Sequence, residues 1–207
     1  MKSLIAACVG ALGLAMASVA WSACPSGLPP GISCGEKDAG LAPAGTYGLD
    51  PNHAAVIAKV SHLGYSMSVF RFDKVEGSLT WAPTAPEKSV LSVSVDVGSI
   101  ATNVAGFADE LSGARYLNAV ANPKATFVSA AFRPTNATHG QVDGQLTLNG
   151  KTRPQTFAVE LLGAGKGFGK PRIGIEATTL INAADYGLPA MLGQVTLVAD
   201  VEFEKKG

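Results

Sequence analysis

The chain has 207 residues, 47% of them hydrophobic and 15% charged, with sixteen Lys plus Arg against sixteen Asp plus Glu. That balance leaves no basic stripe, which argues against nucleic acid as a partner. The length suffices for one domain with a sizeable core.

The first predicted element is not part of a fold. Lys2 supplies a short positive region, residues 4–19 are apolar, and small residues follow at Ser18, Ala20 and Ser22. This pattern predicts a secretory signal peptide over 1–22, cut after Ala20 or after Ser22, and hence a periplasmic or otherwise exported protein. No later apolar run is long enough to span a membrane as a helix. Residues 23–45 read as a Pro/Gly-rich leader, ordered only locally. Cys24 and Cys34 flank Pro25, Gly27, Pro29, Pro30 and Gly31. An oxidising compartment favours a local disulfide between them, worth about 2–3 kcal/mol and felt mostly by its own segment.

The domain follows at 46–204. Strands are predicted at 46–50, 54–62, 67–81, 89–98, 125–133, 140–149, 153–162, 172–181 and 194–204. The 67–81 stretch is expected to bend near Gly77. Most of these alternate apolar and polar residues: Leu91, Val93, Val95 and Val97 share one face, and Ser92, Ser94 and Asp96 the other. Val195, Leu197, Ala199, Val201 and Phe203 repeat the pattern, as do Phe157, Val159 and Leu161. Asn149-Gly150 between apolar runs predicts a tight hairpin. One segment breaks the period. From Val104 to Asn118, Phe107, Leu111, Ala114 and Leu117 fall at helical spacing, with Asp109 and Glu110 early and Arg115 late. This predicts one short helix in a long crossover.

The tally is eight or nine antiparallel strands and one helix. Closing such a sheet into a barrel removes its edges, and a two-sheet sandwich is the rival. Apolar rows fill a solid core or line a cavity with the same residue types, so the pattern alone leaves both open. Small inward residues such as Ala58, Gly144 and Ala199 favour a void.

Catalytic signals are absent from the sequence: no Gly-x-Ser-x-Gly elbow and no Cys-x-x-Cys. His53 and His62 lack a clear third ligand, so no metal is expected. His53 is read as capping a turn with Asp50, and His62 as ending a strand at a barrel rim.

Tyr47-Gly48-Leu49-Asp50-Pro51-Asn52-His53, followed by Val56 through Gly64, resembles the opening of the YceI-like family of polyisoprenoid-binding proteins. Arg71-Phe72, Ser99-Ile100-Ala101-Thr102, Asp109-Glu110-Leu111, Tyr116-Leu117-Asn118, the Asn122-Pro123 strand start, Gly144 through Thr152, and Asp185-Tyr186-Gly187 match in order. The resemblance implies a lipocalin-like, eight-stranded antiparallel β-barrel with one short helix in a crossover. It also implies an apolar tunnel holding an isoprenoid lipid or isoprenoid quinone, with no other cofactor. The wall is then Val56, Ala58, Val60, His62, Phe72, Leu91, Val93, Val95, Phe127, Leu146, Leu148, Phe157, Val159, Val195 and Leu197. Arg71 is the expected head-group contact. The chain departs from the family pattern at Phe70, Ala108, Asn122 and Asn182-Ala183-Ala184, so departures from the family are expected at the head group before the tail. Three functions follow in order: a non-enzymatic carrier, a solid-barrel structural or stress-response protein acting through a protein partner, and an enzyme on a quinone-like substrate. A homodimer is compatible with each.

Overall fold

The computed structural model describes residues 24–207; the predicted signal peptide lies outside the described residues. Ten strands run β1 (Gly45–His62), β2 (Ser66–Phe72), β3 (Val75–Trp81), β4 (Val90–Asp96), β5 (Ile100–Ala101), β6 (Lys124–Pro134), β7 (His139–Leu148), β8 (Lys151–Gly165), β9 (Arg172–Asn182) and β10 (Gln194–Lys205). One α-helix, α1 (Phe107–Ser112), sits between β5 and β6. Every pairing is antiparallel, and β10 returns to β1, so β1, β3, β4, β6, β7, β8, β9 and β10 close an eight-stranded barrel. Closure excludes the sandwich.

The alternating rows become the inner wall. Buried Leu91, Val95, Leu146, Ile173, Val195, Val201 and Phe203 all belong to one continuous cluster. Asn149 and Gly150 both take positive φ, 49° and 71°, as a two-residue type I′ hairpin requires.

Three expectations about the elements need correction. The segments 46–50 and 54–62 form a single strand, interrupted by a bulge. The register jumps from Leu49 opposite Phe203 to Ala54 opposite Val201, and Pro51, which has no N–H to donate, sits in the extra loop. The 67–81 stretch breaks at Asp73-Lys74, not at Gly77, which lies in regular β3 opposite Val93. The helix is only six residues long. Gly106 at φ 76° precedes it and Gly113, in extended conformation, ends it, so Arg115 lies beyond the helix with its guanidinium over the Tyr116 ring.

The leader is also better ordered than expected. Cys24 and Cys34 are disulfide-bonded. Glu36 then exchanges backbone hydrogen bonds with Ala164, at 2.9 and 2.8 Å. A Cβ on Gly163 would lie 3.1 Å from the Cα of Gly35, so the contact depends on two glycines. Lys37 pairs with Glu160, and Ala42 is wholly buried. The leader thus covers the end of the barrel where β8 finishes and β9 begins, here called the base. The opposite end, where β1 turns into β2 and β9 connects to β10, is the mouth.

Candidate functional site

β2 and β3 share one lane beside β1. β3 covers the base half of β1 and β2 the mouth half. On its far side β3 pairs along its length with β4, but β2 pairs only through Arg71 and Phe72 with β5. The wall therefore opens at the mouth, and the crossover from β5 through α1 lies over the opening. Phe70 meets Phe107 edge-on there, with ring centroids 6.0 Å apart.

Behind this opening lies a cavity of about 630 Å³. That volume falls within the range of roughly 300–1,000 Å³ usual for small-molecule sites. Its wall is aliphatic and aromatic almost throughout. Ser61, His62, Ser68, Tyr116 and Thr126 are the polar residues on it, and no Asp, Glu, Lys or Arg reaches it among the described residues.

The structure places the fifteen predicted wall residues around this one space: Val56, Ala58, Val60 and His62 from β1, Phe72 from β2, and Leu91, Val93 and Val95 from β4. Phe127 comes from β6, Leu146 and Leu148 from β7, Phe157 and Val159 from β8, and Val195 and Leu197 from β10. Arg71 is not among them. Phe72 points inward, so its neighbour Arg71 must point out, where its Nε lies 2.6 Å from Asp73. It is not placed to meet a head group. Gly144 does not leave a void either. A Cβ there would lie 2.5 Å from Cζ of Phe127, whose ring fills that space and packs edge-on against Phe157 with centroids 4.8 Å apart.

Sequence reasoning missed the cover of the mouth. Ile100, Val104, Phe107, Leu111, Tyr116 and Leu117 from the crossover, and Leu188, Met191 and Leu192 from the β9–β10 connection, also line the cavity. The helical spacing around Phe107 and Leu111 hinted at the first group. The second sits in irregular chain with no period to find.

The family departures have structural counterparts. Asn122 donates from its amide to Asn149 Oδ1 at 3.2 Å, bracing the β7–β8 hairpin. Asn182 accepts the Ala184 N–H and so caps the turn leading to Tyr186. Tyr186 is buried, its hydroxyl has no hydrogen-bond partner among the described residues, and burial pushes its pKa up.

His53 and His62 do not meet. His62 is at the mouth; His53 lies in the base-side bulge, nine residues and roughly 30 Å of strand away. His53 Nδ1 is 2.9 Å from Asp50 Oδ2, as predicted for a turn cap. Asp50, His53 and Glu202 bring ligand atoms within 4.8 Å of one another. The cation there is Arg172, whose Nη1 donates to Asp50 at 2.8 Å and to Glu202 at 3.0 Å, while Nη2 donates to Glu204. This guanidinium, and secondarily His53, holds the Asp50 carboxyl far below the usual carboxylate range. The hydrogen bond to Asp50 in turn raises the His53 pKa.

Fold and site together define a class: a closed antiparallel barrel around one apolar cavity, open at one end. Residues 47–204 match the YceI-like domain, and the chain belongs to that family. A UPF0312 protein of Pseudomonas putida strain W619 is 38% identical over 171 residues, covering 80% of this chain and 88% of that protein. Among solved structures, Burkholderia cenocepacia BcnA superposes with a TM-score of 0.68 at 20% identity, covering 74% of this chain and 98% of that one. A polyisoprenoid binding domain from Saccharophagus degradans superposes with a TM-score of 0.57 at 18% identity, covering 79% and 100%. At these identities the structural matches speak to the fold alone.

Proposed function

We propose that this protein is an exported carrier that sequesters a long apolar isoprenoid, a polyprenyl chain or an isoprenoid quinone, inside its barrel. The observation that supports this reading most is the 630 Å³ cavity with an almost wholly apolar wall. Each methylene moved from water onto such a wall contributes roughly 0.8 kcal/mol, so a few isoprene units suffice for firm binding. The polyisoprenoid binding domain among the structural neighbours is consistent with it.

The wall also bears on the head group. A diphosphate buried there would meet no guanidinium or ammonium group, because Arg71 faces outward and no Lys or Arg lines the cavity among the described residues. An uncompensated buried charge is prohibitive. A neutral head, such as a quinone or a free alcohol, fits Ser61, His62 and Ser68 at the mouth. The solid-barrel reading is disfavoured by the cavity itself. The enzyme reading has only His62 and Tyr116 as titratable groups on the wall among the described residues.

Native mass spectrometry of the protein purified from its exported compartment, with organic extraction of what it holds, tests the proposal. A co-purifying isoprenoid of neutral head group is the expected result. An apoprotein that also refuses added ubiquinones and polyprenols would overturn it.

A further inference from the structure

We propose that the mouth docks on the surface of a phospholipid bilayer through apolar contact, so that ligand passes between bilayer and cavity without crossing water. The inference rests on the carrier reading and adds a surface to it.

Four stretches of the mouth lack Lys, Arg, Asp and Glu. They are residues 60–70, 97–108, 116–123 and 186–199. Charged residues of both signs flank these stretches: Asp96, Asp109, Glu110 and Asp185 against Lys59, Arg115, Lys124, Lys151 and Arg153. Seven of the twelve exposed large apolar side chains among the described residues lie on these segments, including Leu63 (81% exposed), Tyr65 (88%), Val120 (99%) and Met191 (79%). Exposed apolar side chains gathered this way mark contact surfaces. Leu63, Val104 and Met191 are exposed and also line the cavity, so the apolar surface runs unbroken from inside to outside.

The tip of the β1–β2 hairpin adds an independent observation. Leu63 holds φ 52°, in the left-handed region, followed by Gly64 at 79°. Asn or Gly would take that turn position with less strain than Leu. The turn alone does not account for a leucine there: Leu63 reaches the cavity rim yet leaves 81% of its surface exposed, which contact with something outside would cover. Tyr65 beside it has the apolar ring and polar tip that suit the zone between headgroups and acyl chains.

A bilayer fits this surface better than a second copy. Docking a copy over the mouth would close the passage, whereas the membrane is where isoprenoids are stored. The open edge of β2 limits depth, because unpaired backbone groups are costly in hydrocarbon. The mouth therefore rests at headgroup level rather than spanning. Its balanced charge means binding should depend little on anionic lipid or salt.

The test is flotation of the mature protein with vesicles of pure phosphatidylcholine, and of phosphatidylcholine and phosphatidylglycerol in equal parts. Wild type should float with both, in low and high salt alike. The double variant Tyr65→Asp, Val120→Asp should lose about tenfold or more in vesicle affinity. Tyr65→Trp should keep it. Neither position lines the cavity, so the double variant should still load a short-chain ubiquinone from detergent while extracting it more slowly from vesicles. Wild type that loads from detergent but never floats would overturn the docking proposal and leave the carrier reading standing. Failure to load from detergent would instead strike at the carrier reading. Flotation confined to anionic vesicles and abolished by salt would replace apolar docking with electrostatics. A dimer in sedimentation velocity that Tyr65→Asp dissociates, without vesicle binding, would assign the face to a second copy.

Discussion

The mouth and the base of the barrel are built on opposite principles. At the base, Arg172 ties Asp50, Glu202 and Glu204 together, and Lys170 adds a second contact to Glu204. Tyr47 is fully buried beneath it and donates its hydroxyl to the Pro43 carbonyl at 2.6 Å. The leader crosses this end, pinned through Glu36 and Ala164. At the mouth the lane beside β1 loses its outer partner, and short irregular segments form the cover. The difference separates two jobs. The base anchors the leader and closes the barrel, while the mouth gives up pairing and keeps an apolar surface that, on the carrier reading, a ligand would cross. Binding and stability should therefore be separable by mutation.

The largest expected effect is on binding. Val93 projects from β4 into the cavity, opposite Phe127 in the neighbouring strand. Val93→Arg places a charge against an apolar wall with no carboxylate to meet it, and ubiquinone uptake should be abolished. Because an unpaired charge also threatens folding, Val93→Trp is the companion variant. It fills the cavity without charge and should lower uptake by about a hundredfold or more, the loss of some 3 kcal/mol of buried chain. Near-normal uptake by a folded Val93→Trp protein would mean that the ligand sits elsewhere.

The next effect should fall on stability alone. Arg172→Met removes the cation from among three carboxylates, and Asp50 is largely buried. Unfolding in urea should show a loss of about 2–4 kcal/mol, as when one partner leaves a mostly buried ion pair. Uptake by the protein that remains folded should be unchanged. If Arg172→Met instead abolishes uptake while stability holds, the division between mouth and base is wrong.

How far the sequence foretold this division depends on regularity. The base-to-mouth strands were legible because a half-buried strand alternates, and Leu91, Val93 and Val95 do so without a fault. The break in the β2–β3 lane carried a signal that the alternation could have revealed. Inward positions are even at Ser68, Phe70 and Phe72, but odd at Val75, Leu79 and Trp81. A change of parity across Asp73-Lys74 marks a break as surely as a turn residue does. The same parity places Arg71 outside. The mouth cover was less legible, since Leu188, Met191 and Leu192 sit in short turns where neither period operates. The Arg172 cluster was invisible for another reason. Its members lie on β1, β9 and β10, more than a hundred residues apart at the extremes, and only barrel closure brings them together.

The smallest effect is the pH dependence of the base. Asp50 has a depressed pKa in the fold, caused first by Arg172 and then by His53. Its contribution to stability is present above the unfolded value of about 3.9 and is lost as pH falls toward the folded one. His53 behaves oppositely. Its pKa is raised, chiefly by Asp50. Its contribution is present below the unfolded value of about 6.5 and fades as pH rises through the folded value. Both contributions are present in full only between about pH 4 and 6.5. The stability difference between wild type and His53→Asn should therefore be greatest near pH 5.5 and shrink toward pH 9. His53 is half exposed, so the amplitude should be small. A difference that stayed constant over that range would show that His53 acts as an uncharged turn cap. A difference that also appeared in ligand uptake would mean that the base and the mouth are coupled through the length of β1.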